Sequence, residues 1–210
     1  MWEDHEEAYL GLFYFLATDP GLPPGFAQGS KEIGLPLDEH VGTGHFPGAL
    51  YVREALRMQG DFVFSQKDVE EGEVHVDSIA MGSYSIDIMH HSRYVDKLGV
   101  VMEEGGMQAP SFLNTSVPPF EIPYRAILPK RAQATNLLVP VALSSTHIGF
   151  NAVRLEPTWM PLGESAGVAA AIAAKSGLDV QDINVTALVG RLRQLGQVLS
   201  LGGAKERAAL

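Results

Sequence analysis

The chain has 210 residues, 46% hydrophobic and 19% charged, with 22 glycines and 13 prolines, which is the make-up of a loop-rich globular protein and not of a disordered one. It contains no cysteine, so disulfides, thiolate zinc sites and cysteine-ligated iron–sulfur clusters are excluded from this polypeptide, and redox chemistry would need another cofactor. The net charge of −10 is uneven: residues 1–120 hold 6 Lys/Arg against 19 Asp/Glu, or −13, and residues 121–210 hold 9 against 6, or +3, which disfavours nucleic acid as a partner of the first half and makes the second the better place for an anionic ligand.

The opening "MWEDHEEAYLGLFYFLATDP" has no basic segment ahead of its apolar run, so it does not read as a signal peptide. The longest small-apolar run, Val168 to Ala174, is far below the ~20 residues of a membrane span, and neither a membrane partner nor an anchor is expected; a cytoplasmic location is. Residues 5–17 predict a helix on Ala8, Leu10, Leu12, Phe13, Phe15 and Leu16, ended by Asp19-Pro20-Gly21. A Gly/Pro-rich connector runs to Gly48, and its "GTGHFPG" is a turn, because its glycines are spaced G-x-G-x-x-x-G and follow an acidic loop instead of an apolar strand. "ALYVREALRM", 49–58, predicts a second helix with Leu50, Val52, Ala55 and Leu56 inward and Arg53, Glu54 and Arg57 mostly outward.

"SQKDVEEGEVHVD" reads as surface and "DSIAMGSYSIDIM" as an extended segment, where Tyr84 and Asp87 form a polar pair beside Ile86 and Ile88. His90-His91 carries no metal-ligand spacing, and no metal is expected. Strands are expected near 98–103 and 121–128, and "TNLLVPVAL", 135–143, reads as a buried strand followed by the long loop "SSTHIGFNAVRLEP". Gly177 stops the next helix, and "NVTALVGRLRQLG" is a capped amphipathic last helix with Val185, Leu188, Val189, Leu192 and Leu195 on one face.

Gly163-Glu164-Ser165-Ala166-Gly167 spells the G-x-S-x-G of a hydrolase elbow, but "EPTWMPL" ahead of it is no strand and every histidine lies upstream of Ser165, against the chain order such triads require. From Gly163 to Ala174, two glycines, one serine and six alanines fill nine of twelve positions, so this helix carries little side-chain bulk and suits close approach. Tight packing and a ligand at its first turn are both open on that ground, and the preceding loop, which brings His147, Arg154 and Glu156 to the same end, favours a redox or acid–base site.

The run "IPYRAILPK…TNLLVPVALSSTHIGFNAVRLEPTWMPLGESAGVAAAIAA", with "LYVREALRM", "GSYSIDIMHHSRYV" and "VPPFEIPYRAILPK" before it, resembles the C-terminal part of the FAD-dependent oxidoreductase family that couples a glutathione-reductase-like FAD domain to a substrate domain, over roughly residues 44–200. The family opens with a strand and a GxGxxG helix, which this sequence lacks, so the resemblance implies a C-terminal fragment: part of a substrate or cap domain in 1–115, the C-terminal portion of the FAD-binding domain in 116–180, and a C-terminal helix and tail in 181–210. The implied fold is α/β, α+β within the fragment. The implied cofactor is FAD, contacted by Gly163, Glu164, Ser165, Ala166 and Gly167.

By the same resemblance His147 and Arg154 are the catalytic candidates beside the flavin, and Tyr84, Asp87, Tyr124 and Arg125 line the substrate. Some relatives have a Gly-Arg pair where Pro140-Val141-Ala142 stands here, so no role of that arginine carries over. The implied function is flavin-mediated hydride or electron transfer on a small organic substrate, with an N-terminal FAD-domain half or a partner chain completing the enzyme. The alternatives are a truncated, non-catalytic subunit or interaction module, and a serine hydrolase through Ser165.

Overall fold

The computed structural model describes residues 1–90, 92–108 and 117–201. The chain divides into two compact units, Met1–Arg53 and Glu54–Leu210.

The first unit holds α1 (Trp2–Thr18) and α2 (Pro24–Ser30). Asp19 ends α1 as expected, its carboxylate accepting from Gly21 N at 2.7 Å. None of the residues of α1 is buried. The unit is pinned instead at its connector: Trp2 Nε1 donates to Pro47 O at 2.8 Å, and the Trp2 ring meets Phe46, 8% exposed, edge-on at 5.5 Å. "GTGHFPG" is a turn, with Gly44 at φ +67°, a value glycine adopts without steric cost.

In the second unit β1 (Ser78–Gly82) pairs antiparallel with β6 (Phe120–Pro123), Gly82 standing opposite Phe120. Gly82 is required there, because a Cβ would come within 2.4 Å of the Phe120 ring. β2 (Asp87–Ile88) pairs with β5 (Met107–Gln108), and β3 (Ser92–Val95) with β4 (Val101–Glu104), each antiparallel. The β3–β4 turn is folded by Asp96, whose Oδ1 accepts from Leu98 N and Val100 N. Among the described residues, then, the sheets are three separate antiparallel pairs beside helices, which makes the fold α+β.

The helices are started by local chemistry. Ser65 and Asp68 form a reciprocal cap for α3 (Gln66–Glu70), Thr146 Oγ1 accepts from Gly149 N to start α4 (His147–Val153), and Asn184 Oδ1 accepts from Ala187 N to start α6 (Val185–Gln194). α5 (Glu156–Ser176) begins with Pro157 in its first turn and ends at Gly177, φ +63°. Its buried side, which includes Leu162, Ser165, Ala166, Ala169 and Ala173, packs on β1, where Ser165 Oγ donates to Ile79 O at 2.7 Å. The core gathers Ile79, Phe120, Ile122, Tyr124, Leu143, Leu162, Leu188 and Leu192 around these elements.

Five expectations are corrected. Residues 49–58 are not helical: Val52 and Leu56, placed inward by periodicity, are exposed, while Glu54 and Arg57 turn toward partners on or beside α4. Residues 135–143 are not a strand, since Pro140 has no N–H to give and the segment makes scattered bonds, Val139 N to Ile127 O at 2.9 Å and Met58 N to Ala142 O at 2.9 Å. The strand expected over 121–128 turns at Tyr124 into a 3-10 helix to Ile127. Finally, the loop before the small-residue helix contains α4, and the "surface" run 65–77 contains buried Asp68, Val69 and His75.

Candidate functional site

α4 presents His147 and Asn151 one helical turn apart, so that both side chains meet one carboxylate. Glu54 Oε2 lies 2.8 Å from His147 Nδ1, and Glu54 Oε1 accepts from Asn151 Nδ2 at 3.1 Å. Asn151, fully buried, also donates from Nδ2 to His147 O at 3.0 Å and accepts at Oδ1 from Arg154 Nε at 3.2 Å, which fixes the orientation of its amide. Arg154, at the C-terminal end of α4, is 4% exposed and donates from its guanidinium to Asp87 Oδ2 at 3.0 Å. The Tyr84 hydroxyl donates to the same oxygen at 3.0 Å.

One chain of bonds thus runs Glu54–His147 and Glu54–Asn151–Arg154–Asp87–Tyr84, uniting His147, Arg154, Tyr84 and Asp87 of the sequence candidates. A guanidinium this deep requires a carboxylate beside it, and Asp87 supplies one. Sequence reasoning missed Glu54 and Asn151. Glu54 was hidden by the helical reading of 49–58, which put it on the solvent face, and Asn151 carries a local signal only once His147 and Arg154 are seen to flank it on a helix.

Tyr124 and Arg125 bond elsewhere. The Tyr124 hydroxyl donates to Val180 O at 2.8 Å, and burial, which disfavours the phenolate, raises its pKa well above the usual tyrosine range. Arg125 donates to Asp77 Oδ1 at 3.0 Å and to His75 Nδ1 at 3.0 Å, and its guanidinium lies over the Phe62 ring at 4.5 Å.

The small-residue stretch lies inside α5. The helix starts seven residues before Gly163, so its first turn is Glu156–Trp159, where Pro157 has no N–H and Thr158 N and Trp159 N donate to Leu155 O, and the GESAG sequence is not a helix N-terminus. Ser165 is fully buried between Ile79 O and Gln197 Oε1, at 2.7 and 3.1 Å, with no base beside it among the described contacts; this overturns the hydrolase alternative. Ala166 also faces inward, whereas Gly163, Glu164 and Gly167 are exposed. Gln197 Nε2 donates to Glu164 Oε2 at 2.6 Å, fastening the segment after α6 to this turn of α5.

One group of possible metal ligands occurs among the described residues: Asp68, Glu73 and His75, whose atoms lie within 4.8 Å of one another. Its chemistry argues against an ion. A guanidinium cannot accept a hydrogen bond, so the Arg125 contact makes His75 Nδ1 the acceptor and leaves the ring proton on Nε2, facing Asp68 Oδ1 at 3.5 Å. Neither ring nitrogen then offers a lone pair to a metal. His90 Nδ1 pairs with Glu103 Oε2 at 3.1 Å, and His91 lies outside the described residues.

An α+β protein with a buried arginine–carboxylate network and a small-residue helix whose glycines are exposed is the class that this geometry defines. A family model, FAD dependent oxidoreductase, matches residues 2–192, and the chain belongs to this family, whose cofactor is FAD. None of the curated proteins and none of the solved structures matches the chain. Among the described residues no helix is long and apolar enough to cross a membrane.

Proposed function

We propose that this chain supplies the flavin-facing and substrate-facing side of an FAD-dependent oxidoreductase that transfers a hydride or electrons to or from a small organic substrate. The observation that carries this reading is the open glycine face of α5. Helix-interior glycine costs about 1 kcal/mol relative to alanine, yet a Cβ added at Gly163 or Gly167 would meet nothing within 4 Å. Packing within the described residues does not call for either glycine, which leaves room on this face for a group to lie against the helix from outside. The sequence holds no GxGxxG segment, and the phosphate cradle for the ADP half of FAD must come from other residues.

Bound FAD would supply the redox chemistry, accepting or donating the electron pair. The residues of this chain would bind, orient and manage protons. Gly163, Glu164 and Gly167 form the exposed flank against which the cofactor lies, with Ser165 and Ala166 locking that turn to β1. His147 relays a proton, and Arg154, held by Asp87, contributes positive charge that stabilises developing negative charge nearby. Tyr84 and Asp87 face the substrate, whereas Tyr124 and Arg125, bonded to Val180, Asp77 and His75, stand apart from them.

A second reading, a subunit that completes its site only with a partner chain, is favoured by α1, where Leu10, Leu12, Phe13 and Phe15 are all exposed. An absorbance spectrum of the purified chain, taken before and after mixing with FAD and followed by gel filtration, tests the two. Flavin travelling with the protein supports the first, and flavin eluting free assigns cofactor retention to a partner.

A further inference from the structure

We infer that Glu54 is the positioning residue of His147, holding its neutral ring as the Nδ1–H tautomer with the Nε2 lone pair as proton acceptor, and coupling that choice to Arg154 through Asn151. The inference rests on the role given above to His147. Its warrant is the acceptor-only character of a carboxylate. Glu54 Oε2, 2.8 Å from Nδ1, can only receive a proton there, and the tautomer of a histidine is set by the bond its other nitrogen makes.

Asn151 transmits the constraint. Its Nδ2 protons go to Glu54 Oε1 and His147 O, which leaves Oδ1 to accept from Arg154 Nε. An amide committed at both ends cannot flip without losing bonds to Glu54 and Arg154 together. The carboxylate that orients the proton carrier therefore also orients the guanidinium, and Arg154 passes the constraint on to Asp87 and Tyr84.

The test uses the full chain labelled with 15N at histidine, without FAD, at a pH where imidazole is neutral, with His147→Gln assigning the resonances. In the wild type the protonated nitrogen of His147 is expected to be Nδ1. In Glu54→Ala the protonated and unprotonated resonances exchange places, as the ring relaxes to the Nε2–H form that histidine prefers in water.

An Nε2–H ring in the wild type, or an unchanged pattern in Glu54→Ala, overturns the proposal. Should Glu54→Ala fail to fold, the wild type decides it, because an Nε2–H ring there contradicts it. Flavin takes no part in this experiment. A chain with the Nδ1–H tautomer that nonetheless fails to retain FAD would keep the positioning role and lose the functional reading.

Discussion

Among the described residues α1 and α5 are the two longest helices, and they use their residues in opposite ways. α1 carries Tyr9, Leu10, Leu12, Phe13, Tyr14 and Phe15, side chains large enough to build a core, and every one of them is exposed. α5 is built largely from alanine, glycine and serine, and it buries Leu162, Ser165, Ala166, Ala169 and Ala173 against β1 and its neighbours. The difference teaches that burial follows the partner surface and not side-chain size. A sheet edge accepts a thin helix closely, whereas a bulky helix without a facing surface stays in water or awaits a partner.

The sharpest way to break this comparison is to cut one side chain from each helix. Leu162→Ala should cost about 2–5 kcal/mol, because the fully buried leucine leaves a cavity. Phe13→Ala on α1 should change stability by no more than about 0.5 kcal/mol. Urea denaturation of the two variants measures both, and equal losses would end the contrast. Next in size, Asp87→Leu withdraws the carboxylate facing the buried Arg154 guanidinium and should cost about 3 kcal/mol by the same measurement, near the lower end for a buried pair because Asp87 is 20% exposed.

Asp68 sharpens the comparison through pH. Burial opposes its ionisation, but hydrogen bonds with His75 and Ser65 outweigh burial and hold the carboxyl below the usual aspartate range. A depressed folded-state value stabilises the protein above the unfolded-state value, and that contribution is lost as pH falls through the folded one. The melting-temperature gap between wild type and Asp68→Asn should therefore be widest near neutrality and close below about pH 4. The smallest effect is a gain. Gly163→Ala, with open space at the Cβ, should stabilise the free chain by about 0.5–1 kcal/mol while weakening its hold on FAD, which thermal melts with and without FAD would read.

Where local rules governed, the sequence was legible. The 5–17 periodicity, the Asp-Pro-Gly stop, the Gly177 terminator and the Asn184-capped last helix all stand near where the residues put them. Proline was informative in one place and overlooked in another. Pro157, in the lead-in that was rightly no strand, lies in the first turn of the small-residue helix, and Pro140 stood inside an expected strand that it prevents.

Of the site, the Tyr84–Asp87 pair was readable from its spacing and from the apolar residues beside it, and its hydrogen bond forms. What no local pattern carried was the 67-residue reach from Asp87 to Arg154 and the 97-residue reach from Glu54 to Asn151. Glu54 escaped because amphipathic periodicity assigns charges to solvent, and a carboxylate recruited by a distant His and Asn leaves no trace in its own neighbourhood.

The central claim, that the open face of α5 and the His147–Arg154 network receive the flavin, is tested most directly by titrating the 15N-labelled chain with FAD and following backbone amide shifts. The account predicts progressive shifts at Gly163, Glu164 and Gly167, with His147 and Arg154 responding in the same titration. Unmoved amides along α5, or shifts confined to Met1–Arg53, would contradict it.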